Sequence, residues 1–189
     1  MSRRVEAAVL VPLHLDDAGE RRIVLIERTR HGVHGGQIAL PGGRREPGDA
    51  TARDTAVREA VEELGVPRPS VVPLLDLPPV TTRSTGFVVT PVVGRLLAVP
   101  PVWRPQEREV AAVLDVPVAA LLDPAASGEE SVELGVAPGR ARVPALRLGE
   151  HVVWGLTLRI LLPLLPRIAA GEFDDPPFGG AATPRTVQR

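Results

Sequence analysis

The chain has 189 residues, of which 44% are hydrophobic and 24% charged, and its formal net charge is −1. That length is about one domain, and the composition is that of a globular protein, not of a disordered or fibrous one. A charge so near zero supplies no basic field to recommend a nucleic-acid partner, and the lack of cysteine removes disulfides and thiolate zinc sites.

In chain order, Met1 to Leu15 opens on Arg3, Arg4 and a short apolar run soon interrupted by His14, Asp16 and Asp17. It has no signal-peptide cleavage pattern and is too short to span a bilayer, so the protein is read as cytoplasmic, with no membrane partner. Val5 to Leu15 and Arg22 to Arg28 are aliphatic runs separated by the turn residues Asp16 to Glu20. They predict two antiparallel strands joined as a hairpin. Thr29 to Gly36 is read as an irregular loop, and its His31 and His34 lack a third nitrogen or sulfur ligand nearby, which makes them ordinary loop histidines.

Gly36-Gln37-Ile38-Ala39-Leu40-Pro41-Gly42-Gly43 predicts a short strand followed by a sharp turn. No Gly-Lys-Ser/Thr follows, so this is not a P-loop. Gly42 and Gly43 open conformations closed to other residues and let a phosphate or a metal approach the main chain. Arg44 and Arg45 stand next to them, either to pair with phosphate oxygens or as surface charges.

A helix follows, capped by Asp49 or by Thr51, the latter in a capping box with Asp54, and ended by Gly65 and Pro67. At about 100° per residue, Val57, Ala60, Val61 and Leu64 fall on one face and Glu59, Glu62 and Glu63 on the other. Acids spaced i, i+3 and i+4 repel one another, and here they lie toward the helix C-terminus, where the dipole disfavours negative charge. Arg58 can pair with Glu62, which leaves at least two charges uncompensated. A hard cation such as Mg²⁺, bound by one or two carboxylates with waters and phosphate oxygens, would complete the balance. The plain alternative is a solvated acidic face.

Val71 to Leu77 and Gly86 to Leu97 are predicted strands around a loop, Pro78 to Thr85, whose Arg83 either reaches phosphate or is solvated. A proline-rich connection leads to Gln106-Glu107-Arg108-Glu109-Val110 and an apolar Ala111 to Leu114. Asp123 to Gly139 is read as a hairpin or loop, Arg140 to Leu148 and His151 to Trp154 as strands, and Gly155 to Ala170 as a largely helical segment despite two prolines. The domain therefore runs over residues 1–170, and 171–189, with three prolines and three glycines, has the composition of a mobile tail.

The stretch from Gly43 to Val66 resembles a Nudix box, G-x5-E-x7-R-E-U-x-E-E-x-G-U with U aliphatic. Arg58, Glu59, Ala60, Glu62, Glu63, Gly65 and Val66 match its downstream half. Upstream, the acid after five residues is Asp49 instead of Glu, and eight residues separate it from Arg58. The longer spacing, the Gly-Gln-Ile-Ala-Leu-Pro-Gly-Gly run and Trp154-Gly155-Leu156-Thr157 are similar to the coenzyme A diphosphatase branch of that family. Leu25, Ile26, Arg28 and Thr29 fit the upstream part of its signature, whereas its second arginine has no counterpart and Leu40 replaces Phe.

The resemblance implies an α+β Nudix fold, a mixed β-sheet sandwiched between α-helices. It also implies hydrolysis of a small-molecule diphosphate with Mg²⁺ or Mn²⁺. Glu59 and Glu63, with the main chain at Gly43, would bind metal; Glu62 would hold a second ion or its water, and Arg58 would orient the acids. Glu109, with Glu107 in reserve, would be the extra carboxylate that acts as ligand or general base. Arg28, Gly42, Gly43, Arg44, Arg45 and Arg83 are the candidates for substrate contact. Branch membership implies coenzyme A or its thioesters as substrate. ADP-ribose, a dinucleotide or a nucleoside triphosphate is the alternative, and a nucleotide-sensing module that does not hydrolyse is a third reading. A homodimer stays open.

Overall fold

In the computed structural model, which describes residues 5–30, 35–82, 86–133 and 139–174, the first strand carries the sheet. His31, His34, Arg83 and the tail from 175 onward lie outside the described residues. β1 (Val5–Leu15) is buried over most of its length, which is why it is a continuous apolar run instead of an alternating one. At its end Asp16 Oδ1 accepts the N–H groups of Ala18 and Glu20, and β2 (Arg21–Arg28) returns antiparallel, Leu13 facing Ile23.

One edge of β1 is taken along its length by β7 (Phe87–Leu96), which runs parallel to it from Val5 opposite Phe87 to Leu13 opposite Arg95. β5 (Val71–Asp76) and β6 (Val80–Thr81) pair antiparallel with β7, and β8 (Val110–Pro117) covers the outer edge of β2. The remaining edges of β1 and β2 face each other only near their hairpin, over residues 13–15 and 21–23. Beyond it they part. β3 (Ile38–Ala39) pairs with the far half of β2 and β4 (Gly42–Arg44) with the first half of β1, so Leu40 and Pro41 form a corner inside the fork.

The chain turns at Leu40-Pro41, where Leu10 N–H donates to Pro41 O at 2.8 Å, and not at the glycines. Gly42 and Gly43 lie in a strand. Gly42 is required by close approach: a Cβ there would come closer than 3.0 Å to Ala8 O and Val9 Cα.

α1 (Ala52–Leu64) covers one face of the sheet. Its Ala56, Val57, Ala60 and Leu64 share a core with Ala8, Leu10, Val24, Ile26 and Val92. The opposite face holds a second core, in which Val11, Leu13, Ile23, Leu25 and Val93 meet Leu146, Val153, Leu158 and Leu161. Neighbouring residues of β1, β2 and β7 enter different cores, as the two-residue period of a strand demands. The second layer consists of α2 (Val118–Leu122), α3 (Gly155–Leu161), α4 (Leu165–Ala169) and a small antiparallel sheet of β9 (Ser127–Glu133), β10 (Arg140–Leu148) and β11 (His151–Trp154). The result is the α+β arrangement expected from sequence, a mixed sheet between helical layers.

Two expectations gain detail and one, the start of the tail, is corrected. Gly155 to Ala170 is two helices, since Pro163 interrupts the chain between them and Pro166 sits in the first turn of α4. Of the alternatives for Asp123 to Gly139, the paired strand β9 is what forms, with Arg142–Glu129 and Arg140–Glu133 ion pairs across to β10 at 3.3 and 3.8 Å. Glu129 and its neighbours are exposed, so these pairs add little stability. Gly171 to Asp174 is not loose: Phe173 is 6% exposed within the second core, and Arg21 Nη2 donates to Asp174 Oδ2 at 2.6 Å. Among the described residues no helix is long and apolar enough to cross a membrane.

Candidate active site

The helix that carries the acids is delimited by its caps. Thr51 is the N-cap: its hydroxyl accepts Asp54 N–H, and the Asp54 carboxylate accepts Thr51 N–H, closing the capping box. At the other end Gly65 adopts φ +68°, and a Cβ there would also come closer than 3.0 Å to Arg104 O. With Thr51 as cap, Asp49 is released for another task.

Glu63 projects from the last turn of α1 into the fork between β1 and β2. Its side chain is 1% exposed. Oε2 accepts Gly42 N–H at 2.7 Å, while Oε1 is buried with no hydrogen-bond partner and Arg28 Nη1 stands 3.9 Å away. Burial pushes the carboxyl up to about 7, against the opposing pull of the Gly42 N–H and of Arg28. Glu59, one turn earlier, lies against Gly43: a Cβ on Gly43 would fall closer than 3.0 Å to both carboxylate oxygens. Burial raises its pKa as well, although Arg58 Nη1 lies 3.0 Å from Oε1. Glu62 is more exposed and meets Arg58 Nη1 at 3.2 Å, the pairing expected from the i, i+4 spacing.

Arg58 is held from behind by Asp49. Its Nε and Nη2 donate to Asp49 Oδ1 and Oδ2 at 3.2 and 3.1 Å, and Nη2 also donates to Arg44 O at 3.0 Å. Asp49 further accepts the Thr55 hydroxyl and Glu46 N–H, both at 3.0 Å. The Arg58 guanidinium, first among these, holds the Asp49 carboxyl down to about 2 despite its burial. Sequence reasoning gave Asp49 no part in the site. The signal was its place at the upstream acid position of the motif.

The other candidates divide. Arg28 is brought to Glu63. Glu109, in the turn before β8, adds its negative charge to both Glu59 and Glu63, whereas Glu107 is not among the charges that act most on either. Glu109 O accepts Thr29 N–H at 2.9 Å, which fixes that turn beside the end of β2. Arg45 is committed elsewhere: its donors go to Glu6 Oε2 at 2.6 Å, Asp49 O at 3.1 Å and Ala50 O at 2.7 Å, so it fastens the loop before α1 and has no free fork for phosphate. Arg44 is exposed, with its guanidinium 5.4 Å from the centre of the Phe87 ring. Because β4 alternates, Arg44 projects to the face opposite the one on which Gly43 meets Glu59.

Among the described residues no three His, Cys, Asp or Glu side chains are grouped so as to hold a metal ion. What the fork presents is two carboxylates, one of them with an orphaned buried oxygen, against the Gly42–Gly43 main chain. A set of this kind fits Mg²⁺ or Mn²⁺, which keep several waters and accept phosphate oxygens.

Residues 4–134 match the NUDIX domain. An uncharacterized Nudix hydrolase, NudL, of Salmonella paratyphi B is 38% identical over 174 residues, covering 86% of this chain and 82% of that protein. Among solved structures, the Nudix hydrolase RenU of M. smegmatis has a TM-score of 0.60 at 19% identity, covering 94% of this chain and 91% of its own. The NUDIX domain of Shewanella oneidensis NrtR, solved with ADP ribose, has a TM-score of 0.50 at 21% identity over 65% of this chain and 78% of its own. The structural likenesses speak for the fold alone. The domain match across residues 4–134 and the identity shared with NudL place this chain in the Nudix hydrolase family.

Proposed function

We propose that this Nudix hydrolase cleaves the diphosphate of coenzyme A or its thioesters, giving adenosine 3′,5′-bisphosphate and (acyl-)4′-phosphopantetheine. The observation that carries the hydrolytic reading is the buried, unpartnered Glu63 Oε1 beside Glu59 and the Gly42–Gly43 main chain. A buried carboxylate oxygen left unpaired is costly, and a divalent cation is the partner best suited to two neighbouring acids. The choice of substrate rests on sequence: the eight residues between Asp49 and Arg58, the Gly36–Gly43 run and Trp154-Gly155-Leu156-Thr157.

In this reading Glu59, Glu63 and the main chain at Gly43 hold Mg²⁺ or Mn²⁺, and Glu62 holds a second ion or its water. When bound, the ion supplies a more acidic water and neutralises charge on the departing phosphate. Arg58, locked by Asp49, bridges Glu59 and Glu62 and aims them. Arg28, beside Glu63, reaches phosphate oxygens of the substrate. Water adds to one phosphorus as the bridging oxygen leaves with the other phosphate, and Glu109 accepts the proton.

A panel of coenzyme A, dephospho-coenzyme A, ADP-ribose and a dinucleoside polyphosphate, incubated with Mg²⁺ or Mn²⁺ and resolved by product mass, tests the assignment. Cleavage of ADP-ribose with both coenzyme A forms ignored would overturn the substrate and leave the chemistry. That alternative is favoured by Leu40 and by the missing second arginine of the signature. Binding without turnover by the wild type would instead make the protein a sensor.

A further inference from the structure

Trp154-Gly155-Leu156-Thr157 is remote from the acids in sequence, and nothing above gives it a physical task. It lies where β11 passes into α3. Gly155, at φ +65°, makes that passage without an intervening loop, so Thr157 falls in the first turn of the helix, 8% exposed. Its hydroxyl donates to Ile38 O at 3.1 Å across 119 residues of chain.

Ile38 belongs to β3, which is two residues long and forms the edge of the sheet. The preceding carbonyl, Gln37 O, accepts Arg28 N–H at 3.0 Å. Successive carbonyls of a strand point to opposite sides, so Ile38 O is turned away from β2, and the Thr157 hydroxyl is the partner it finds there. Four residues later comes the Gly42 N–H that holds Glu63 Oε2. Between them the path is stiff: Leu40 is buried, Pro41 has a fixed φ, and Pro41 O is bound by Leu10 N–H.

We propose that Thr157 is a positioning residue: by gripping Ile38 O it sets the corner between β3 and β4, and through it the Gly42 N–H that aims the Glu63 carboxylate. This rests on the reading of Glu63 as part of the active site. A threonine suits this buried position because its hydroxyl supplies the donor.

Thr157→Val keeps the shape and removes the donor, and Thr157→Ser keeps the donor and removes the methyl. The first readout needs no turnover: amide hydrogen exchange at Gly42 in the metal-free protein, compared with Val92 deep in β7. Thr157→Val should speed exchange at Gly42 by about tenfold over any change at Val92, and Thr157→Ser should restore it. In parallel, Mn²⁺ affinity read by electron spin resonance should weaken several-fold in Thr157→Val alone. With a cleavable substrate, kcat should fall while KM stays within about twofold, because the grip acts on the acids and not on substrate binding.

A Thr157→Val protein that melts earlier yet keeps wild-type Gly42 exchange and Mn²⁺ affinity would overturn the proposal, reducing Thr157 to packing. If Thr157→Val does not fold, Thr157→Cys, similar in size and a poor donor, is judged by the same readouts. A wild type that cleaves no diphosphate, but whose Gly42 exchange still responds to Thr157→Val, would overturn the function proposed above and support the positioning role.

Discussion

Asp49 and Arg58 are locked together at 3.1 and 3.2 Å ahead of the acids, and the one guanidinium nitrogen left over lies between Glu59 and Glu62. The grip is on the base of the machinery, so its loss should disturb both stability and turnover. Asp49→Asn should destabilise the fold by about 2 kcal/mol, since it breaks a largely buried charged pair and two further hydrogen bonds. Urea unfolding measures this.

The same pair has a pH signature. Asp49 titrates at about 2 when folded against 3.8 otherwise. Its contribution is therefore fully present above pH 3.8 and is lost as pH falls through 2. The stability gap between wild type and Asp49→Asn should close over that window.

Glu63 carries the opposite sign. Its folded value of about 7 lies above the ordinary 4.5, so the folded state keeps a proton that the unfolded chain releases. In chelator, stability should fall as pH rises from 4.5 to 7, by on the order of 3 kcal/mol. Glu63→Gln should flatten that slope and be the more stable protein at pH 8, while losing turnover by 100-fold or more, on the order expected for a metal ligand. Unfolding at pH 5 and pH 8 with chelator, and again with Mn²⁺, separates the two effects.

Gly43→Ala and Gly65→Ala should fail differently. The first pushes on the free end of Glu59, which can swing aside, so the melting temperature should hold within a few degrees while activity drops about tenfold. The second sets a side chain at φ +68° against backbone at Arg104 O, which should cost about 2 kcal/mol. Calorimetry with one assay on each variant discriminates.

Glu109→Gln should lower kcat by about 100-fold with little change in KM if it takes the proton of the attacking water. Glu107→Gln should be nearly silent. The inverse result would exchange their roles.

The helix was legible in the sequence almost to the residue, because Thr51, Asp54 and Gly65 act on their near neighbours. β1, β2, β3, β5 and β7 were legible for a similar reason, as aliphatic runs beside turn residues, whereas β4 and β6 lie in stretches read as turn and loop, and β8 lies where no strand was read. The turn at Leu40-Pro41 was not, since glycine in a strand and glycine in a turn read alike until β1 is seen to press on Gly42. The partners of Arg45 were not legible, because nothing local shows that Glu6, across a strand pairing, would take it. The roll of acids at the site could be read, but the hold of Asp49 on Arg58 depends on a loop whose path no periodicity describes.

The parting of β1 from β2 has a consequence for how the protein can be divided. The apex that receives Glu63 needs β4 laid on β1, and β1 is itself braced by β7, which comes later in the chain. A peptide cut to the motif alone, residues 36–66, would keep its helix-forming signals but have no frame on which to hang them, and should be inert toward Mn²⁺. Mixing it with the separately expressed remainder of the chain should bring binding back only when the two fragments reassemble.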